Sequence, residues 1–466
     1  MLVLRKRWLP RLVVMVVLIA LVVTGCTAAP KQEKSSSTQT PTPPQPSKTL
    51  HILTLNWPQA AVEQELADKY FTPKTGIKVV VEAQPYSFAE AKAKQELAAK
   101  SPYYDILDYD SQWIGGYVAA NGLERLDTPE YLNAPDSPIK ADDFIPEVSI
   151  DLMRYPSQFD DLFINRNYDK YKNTPVYGLP WSINAQILVY RKDLIPEPPK
   201  TWDEYKALAK KFNDPPKMYG TVFSASRQSD FVSMDFFPML WGWGANIWDE
   251  KNWKVDGHIN SPQAIEAMKF FASFYKEGLV PPDTPNYAMD EKVTAITQGK
   301  VALVEEWNLL GSVLEDPKIS VVAGKLGYVP TPAGPKGRYS MYGCQGTAIN
   351  AFSKQKKEAW EYLKWFTSKE TQERLLNDKR AAFASARKDL VEANRKSSPW
   401  NAAFMDSIPY VRDFFNIAPY SEFLDVLQSE QNLGFSGRKS PEKAMNDAAI
   451  AAQAILDANL KFKPKQ

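Results

Sequence analysis

The chain has 466 residues, with 56 Lys plus Arg against 55 Asp plus Glu, so no charge excess argues for a nucleic acid or an anionic surface as partner. Two cysteines and two histidines, with no pair at ligand spacing, leave no zinc motif and call for no metal or cofactor. Its 13 Trp, 22 Tyr and 22 Phe supply flat apolar surface for a core or for a ligand.

Arg5, Lys6, Arg7 and Arg11 precede an apolar run from Leu12 to Val23, the order of an export signal. As a helix such a run rises only about 18 Å, short of a roughly 30 Å hydrocarbon layer. The segment ends Val23-Thr24-Gly25-Cys26, and a small residue directly before cysteine resembles the lipobox of bacterial lipoproteins. Residues 1–25 then form a signal peptide and Cys26 carries lipid. Acyl chains contribute about 0.8 kcal/mol per buried CH2, which would hold the protein at the extracytoplasmic face of the cell membrane. Cys344 is left without a disulfide partner. Residues 26–48 continue as KQEKSSSTQTPTPPQPSK after Pro30, with no aliphatic or aromatic side chain, the composition of a disordered tether.

The folding part opens on Leu50–Leu55 as a strand, followed by a helical pattern at Val62, Leu66 and Tyr70. Ile77–Glu82 is the second strand, Phe88–Lys100 the next helix and Asp105–Tyr109 a third strand. This alternation predicts a parallel sheet with helices on its faces. Ile187–Tyr190 reads as a strand, and Thr201-Trp202-Asp203-Glu204 as a capping box opening a helix with Trp202, Tyr205, Leu208, Ala209 and Phe212 on its apolar stripe. Ser261-Pro262 opens a helix that stops near Gly278, and Ser440-Pro441-Glu442 repeats the start signal. Lys357–Thr367, Lys369–Asp378 and Pro441–Leu460 are helical in pattern. About 440 residues beyond the signal predict two lobes.

Several strings carry a resemblance: Phe71-Thr-Pro-Lys-Thr-Gly-Ile-Lys-Val79, Asp105-Ile-Leu-Asp-Tyr-Asp110-Ser-Gln-Trp113, Tyr177-Gly-Leu-Pro180, Leu188 to Glu204, Gly299 to Leu303, and Gly343 to Asn350 followed by Ala359-Trp-Glu-Tyr-Leu363. In order and spacing they resemble the family 1 extracellular solute-binding proteins, the maltose-binding-protein-like capture subunits of bacterial ABC sugar importers. The resemblance implies an α/β, two-lobe periplasmic-binding-protein fold with a ligand cleft at the hinge. It places lobe one at 49–181 plus 301–343 and lobe two at 182–300 plus 344–466. It also implies a monomer without catalysis, a sugar cargo such as an oligosaccharide or glycoside, and ABC permease subunits as partners.

Sugars need aromatic plates and directional polar groups. Trp241 and Trp243 are candidates because Gly242 and Gly244 beside them allow close approach. Asp110, three residues before Trp113, matches a D-x-x-W spacing of sugar-binding members; a helix cap is the plain alternative. Tyr109 and Gln112 share that loop. Trp57 and Trp307 fall just past strands, Trp181 and Asn184 at the first lobe crossing, and Tyr420 in a region that closes over sugar in relatives. Gln345 stands where many relatives carry an aromatic. A competing reading is a surface glycoside hydrolase using Glu305, Glu306, Asp108 or Asp110, although adjacent Glu305 and Glu306 on a strand point to opposite faces. Another keeps the importer role with a peptide, polyamine or polyol phosphate as cargo. The candidate loops show no acidic or basic cluster.

Overall fold

The computed structural model describes residues 48–381 and 383–463. The signal, Cys26 and the tether as far as residue 47 lie outside the described residues.

One mixed sheet organises the chain. Its main strands are β1 (Lys48–Leu55), β2 (Ile77–Gln84), β3 (Ile106–Asp110), β4 (Leu179–Arg191), β5 (Leu303–Trp307), β6 (Leu326–Val329) and β7 (Ser340–Ile349), and the short strand Val411–Arg412 pairs with the start of β7. The order is β2-β1-β3-β7-β4-β5, with β6 also on β4. β1 pairs parallel with β2 over its whole length and with β3 at Ile52 and Leu53. Leu50, Ile52, Leu53 and Leu55 are all buried, as a central parallel strand covered on both faces requires. The expected β-α-β-α-β opening is present, its helices at Pro58–Leu66 and Tyr86–Ala98.

β4 and β7 are the long antiparallel strands that join the two halves of the sheet. Gln345–Ile349 of β7 lies against β3, while Gly343 and Tyr342 pair with Asn184 and Ala185 of β4. Beyond that crossing, Gln186–Arg191 of β4 pairs with β5 and β6. Residues 303–329 build the half that contains the end of β4, not the half of β1 to β3. Conversely, Cys344–Ile349 and the helix Lys356–Phe366 belong with β1 to β3, where Tyr362 donates to buried Glu63 at 2.6 Å. The order of the strings in sequence could not show this, because each long strand serves both halves.

The helix starts read from sequence carry their caps. Thr201, Ser261 and Ser440 each accept from the third residue's N–H at 3.2 Å. Glu204 reaches back to the N–H of Lys200 at 2.7 Å, one residue before the expected partner. The helix Phe231–Gly242 is buried at every position and is the central post of the second half. No helix among the described residues is long and apolar enough to cross a membrane.

Candidate functional site

Open parallel sheets collect functional groups beyond the carboxyl ends of their strands. Here β1 ends before Trp57, β2 before Tyr86 and β3 on Asp110. Across from them come Asn184 of β4, Trp307 at the end of β5 and Gln345 of β7. All six line one narrow cavity of about 20 Å3, room for about one water, at the crossing between the two halves, with Gln112, Asp413 and Phe414.

The polar groups of this cavity form a relay. Asn184 Nδ2 donates to Gln345 Oε1 at 3.0 Å, and Gln345 Nε2 donates to Asp110 Oδ1 at 2.9 Å. The other Asp110 oxygen is 3.5 Å from Gln112 Nε2. Gln112 also donates to the Tyr86 hydroxyl at 3.1 Å, which donates to Asp230 Oδ2 at 2.7 Å. Asp110, Gln112, Asn184, Gln345 and Asp230 are each at most 5% exposed, so the relay is fixed within the protein. Burial pushes the Asp110 carboxyl up to about 6, opposed by the hydrogen bonds from Gln345, Tyr86 and Gln112. When ionised it is an acceptor only. Burial pushes Asp230 higher, to about 8, with the nearby Asp110 charge adding to it. Asp413 accepts from Ser111 Oγ and from the Phe414 N–H, both at 2.7 Å. Burial first and repulsion from Asp151 second hold its carboxyl well above the usual range.

Aromatic rings close the walls. The Trp57 and Tyr86 rings are stacked at 6.0 Å with an 8° interplanar angle. Trp113 leans on Tyr86 at 5.6 Å, behind the wall. Gly343 makes the opposite side possible: a Cβ there would sit 2.6 Å from Asn184 Oδ1 and 2.9 Å from the Trp307 ring. Only a glycine lets the indole and the amide lie against that strand.

Six of the eleven ligand candidates thus meet at the cavity: Trp57, Asp110, Gln112, Asn184, Trp307 and Gln345. Asp110 precedes a short 3-10 turn but makes no side-chain cap bond, so its carboxylate is spoken for by the relay. The other five lie elsewhere. Tyr109 alternates to the opposite face of β3, and its hydroxyl bonds the Leu152 carbonyl. Trp181 sits at an irregularity of β4 between Pro180 and Ser182 and stacks on Phe383 at 5.9 Å. Trp241 is 1% exposed, enclosed by Phe159, Phe237 and Tyr339. Trp243 packs on Phe270 at 4.8 Å. Tyr420 packs on Phe414 and Phe415, one layer behind the wall. Trp241 lies on the buried helix Phe231–Gly242, and Trp243 just past it is half-buried, so neither ring reaches the cavity. The proposed hydrolytic carboxyls Asp108, Glu305 and Glu306 do not line the cavity.

Sequence reasoning missed Tyr86, Tyr342, Asp413 and Phe414. Tyr86 carried a usable signal, since it follows β2 as Trp57 follows β1, each beside a proline. Asp413 and Phe414 carried none, for they reach the cavity only by tertiary return of the chain. The acidic groups Asp110, Asp151, Asp230 and Asp413 come from four segments, which explains why no loop displayed a cluster.

A protein of Pyrococcus abyssi named as a maltotriose-binding protein is 24% identical over 315 residues, covering 66% of this chain and 59% of its own. The erythritol/L-threitol-binding protein of Mycolicibacterium smegmatis is 24% identical over 336 residues, covering 69% and 67%. Among solved structures, maltose-bound T. maritima MalE3 superposes with a TM-score of 0.75 at 22% identity, covering 88% of this chain and all of that one. A solute-binding protein of Agrobacterium radiobacter K84 in complex with ribitol gives 0.71 at 26%, with the same coverage. The two-lobe α/β fold is that of these binding proteins. The family model described as bacterial extracellular solute-binding protein matches residues 56–373, and the chain belongs to that family.

Proposed function

We propose that this protein captures a sugar or sugar alcohol in the cleft between its halves, where the cavity opens on an adjoining groove of about 850 Å3, and presents it to the permease of an ABC importer, as a monomer without catalysis. The observation that carries the reading is the relay Asn184–Gln345–Asp110 facing the rings of Trp57, Tyr86 and Trp307 across one cavity. Hydroxyls need acceptors and donors held in fixed directions, and pyranose or polyol C–H faces need flat apolar plates. The names of the relatives, for maltotriose and for erythritol/L-threitol, and the maltose and ribitol in the solved structures support the same class of ligand. Rotation of the halves about β4 and β7 would admit and enclose the ligand. Lipid on Cys26 would keep the cleft near the permease.

The test is calorimetric titration of the protein with mono- and oligosaccharides and C4 to C6 sugar alcohols, alongside mass spectrometry of any co-purified small molecule. Binding of one of them tighter than about 1 mM, or roughly −4 kcal/mol, supports the reading. A co-purified peptide or polyamine, with no sugar bound, overturns it.

A further inference from the structure

Contacts across the cleft converge on one carboxyl. Asp230 stands at the start of the helix Phe231–Gly242, in the second half. Its Oδ2 accepts from two side chains of the first half, the Tyr86 hydroxyl at 2.7 Å and Gln112 Nε2 at 3.4 Å. Beside it Ser421, at the start of the helix Tyr420–Phe435, accepts from Lys94 Nζ at 2.5 Å and donates to Glu90 at 2.6 Å. The turn that presents Asp230 is held in place. Ser229 has φ 53°, a left-handed conformation that a residue with a Cβ disfavours, and its carbonyl accepts from Gln428.

Asp230 is 2% exposed, and its Oδ1 is buried without a hydrogen-bond partner. The titratable groups around it are Tyr86, Glu90 and Lys94 of the helix Tyr86–Ala98, Asp110 at the end of β3, and Tyr420 and Asp425 of the helix Tyr420–Phe435. Lys94 is the one cation among them, and Glu90 pairs with it at 2.7 Å. Gln112 Nε2 lies between the two carboxyls, 3.5 Å from Asp110 and 3.4 Å from Asp230. A charge on Asp230 is therefore unpaired, out of water and beside a second carboxyl. Burial pushes its titration up to about 8, with Asp110 adding to the rise and the Tyr86 bond opposing it. A proton on Oδ1 removes the charge and leaves Oδ2 to accept from Tyr86 and Gln112.

These constraints act only while the halves are together. Tyr86, Gln112 and Asp110 belong to one half and Asp230 to the other, so rotation apart returns Asp230 to water, where a carboxyl titrates near about 4. We propose that ligand capture is proton-linked: closing of the halves brings Asp230 against Tyr86 and Asp110 and takes one proton from solvent onto Asp230, so acid medium favours the closed, loaded arrangement and alkaline medium the open one. This rests on the capture reading above. The closed form holds the proton up to the raised titration point and the open form releases it near the ordinary one. Affinity is therefore greatest at the acid end of that window and falls as pH rises through it.

The experiment titrates the full chain by calorimetry with maltose, maltotriose, ribitol and erythritol, neutral ligands that do not ionise, at pH 6, 7 and 8 in buffers of different ionisation enthalpy. For a ligand that binds, Kd should rise about ten-fold or more from pH 6 to pH 8, and the heats at pH 7 should report uptake of roughly half to one proton per ligand. Asp230→Asn keeps an oxygen to accept from Tyr86 but cannot titrate, so its Kd should change by less than about three-fold over the same range. The proton count on the unmutated chain stands whether or not the variant folds. A pH-independent Kd without proton uptake, or an Asp230→Asn variant with the full pH dependence, overturns the proposal and leaves the capture reading standing. Failure of all four ligands to bind overturns both.

Discussion

Lys292→Met is expected to destabilise the protein by about 3–5 kcal/mol, the cost of removing one partner of a buried ion pair. Lys292 Nζ lies 3.1 and 3.3 Å from the two Asp235 oxygens, and both side chains are 1% exposed. Asp235 also accepts from Gln186 Nε2 and from the Ser224 N–H, each at 2.7 Å. Those neutral donors stay in the variant while the charge leaves. Glu305 and Glu306 lean on the same ammonium. Burial pushes both carboxyls up, Glu306 to about 7, and the Lys292 charge opposes the rise. Methionine keeps most of the stem volume, so little of the loss is cavity. Against a typical total of about 5–15 kcal/mol the loss is large.

Urea unfolding followed by tryptophan fluorescence at pH 7 measures it. Without Lys292 the carboxyls take up protons more readily, and protonation removes the uncompensated charge. The loss should therefore be smaller at pH 5 than at pH 7. The double variant Lys292→Met/Asp235→Leu should recover part of the stability, since charge and partner leave together. A loss below about 1 kcal/mol at pH 7, the worth of an exposed pair, or a double variant as unstable as the sum of the singles, would refute the reasoning.

Trp57→Ala and Trp307→Ala should each weaken binding of the sugar found in titration by about ten-fold or more, as loss of a buried aromatic anchor does. Trp241→Ala should instead cost about 3–5 kcal/mol of stability with little change in affinity, and the opposite pattern in calorimetry and melting would return Trp241 to the site. Gly343→Ala should lower ligand affinity, because the added methyl meets Asn184 and Trp307 within 3 Å; unchanged affinity would mean the strand yields. Asp108 and Asp151 are pushed up to about 7, and Asp230 and Glu250 to about 8, each mainly by burial. Unfolded carboxyls titrate near 4, so the folded state holds the extra protons and stability falls as pH rises from about 5 to about 8. A melting temperature that holds or climbs over that interval contradicts this. Cys26→Ser should move the protein from the membrane fraction to the soluble extracytoplasmic fraction, and retention in the membrane would remove lipid from the reading.

Local rules were enough for the local features. Apolar runs at Leu50–Leu55 and Ile77–Glu82 mark strands because a strand buried on both faces has to be apolar throughout. Thr201, Ser261 and Ser440 mark helix starts because a hydroxyl there satisfies an otherwise orphaned N–H. Asp110, Trp57 and Trp307 were reachable from sequence because strand ends converge on a cleft in this kind of sheet. The family strings also identified the fold correctly. Rings could not be sorted into core and site in the same way: Trp241 and Trp57 look alike in composition, and only packing shows that one is enclosed by Phe159, Phe237 and Tyr339 while the other faces a void.

What the sequence by itself determined is therefore the class of the molecule: an α/β sheet and a family of solute binders. Those follow from periodicity, capping and short strings, which are contacts between near neighbours. The tertiary structure alone decided how β4 and β7 share themselves between two halves, how Asp110, Gln345 and Asn184 join into one relay, and how Asp110 and Asp413 come to line one cavity. These depend on pairings between residues separated by hundreds of positions. Such contacts leave no period in the chain, because their partners are chosen by sheet register and burial rather than by distance along the sequence.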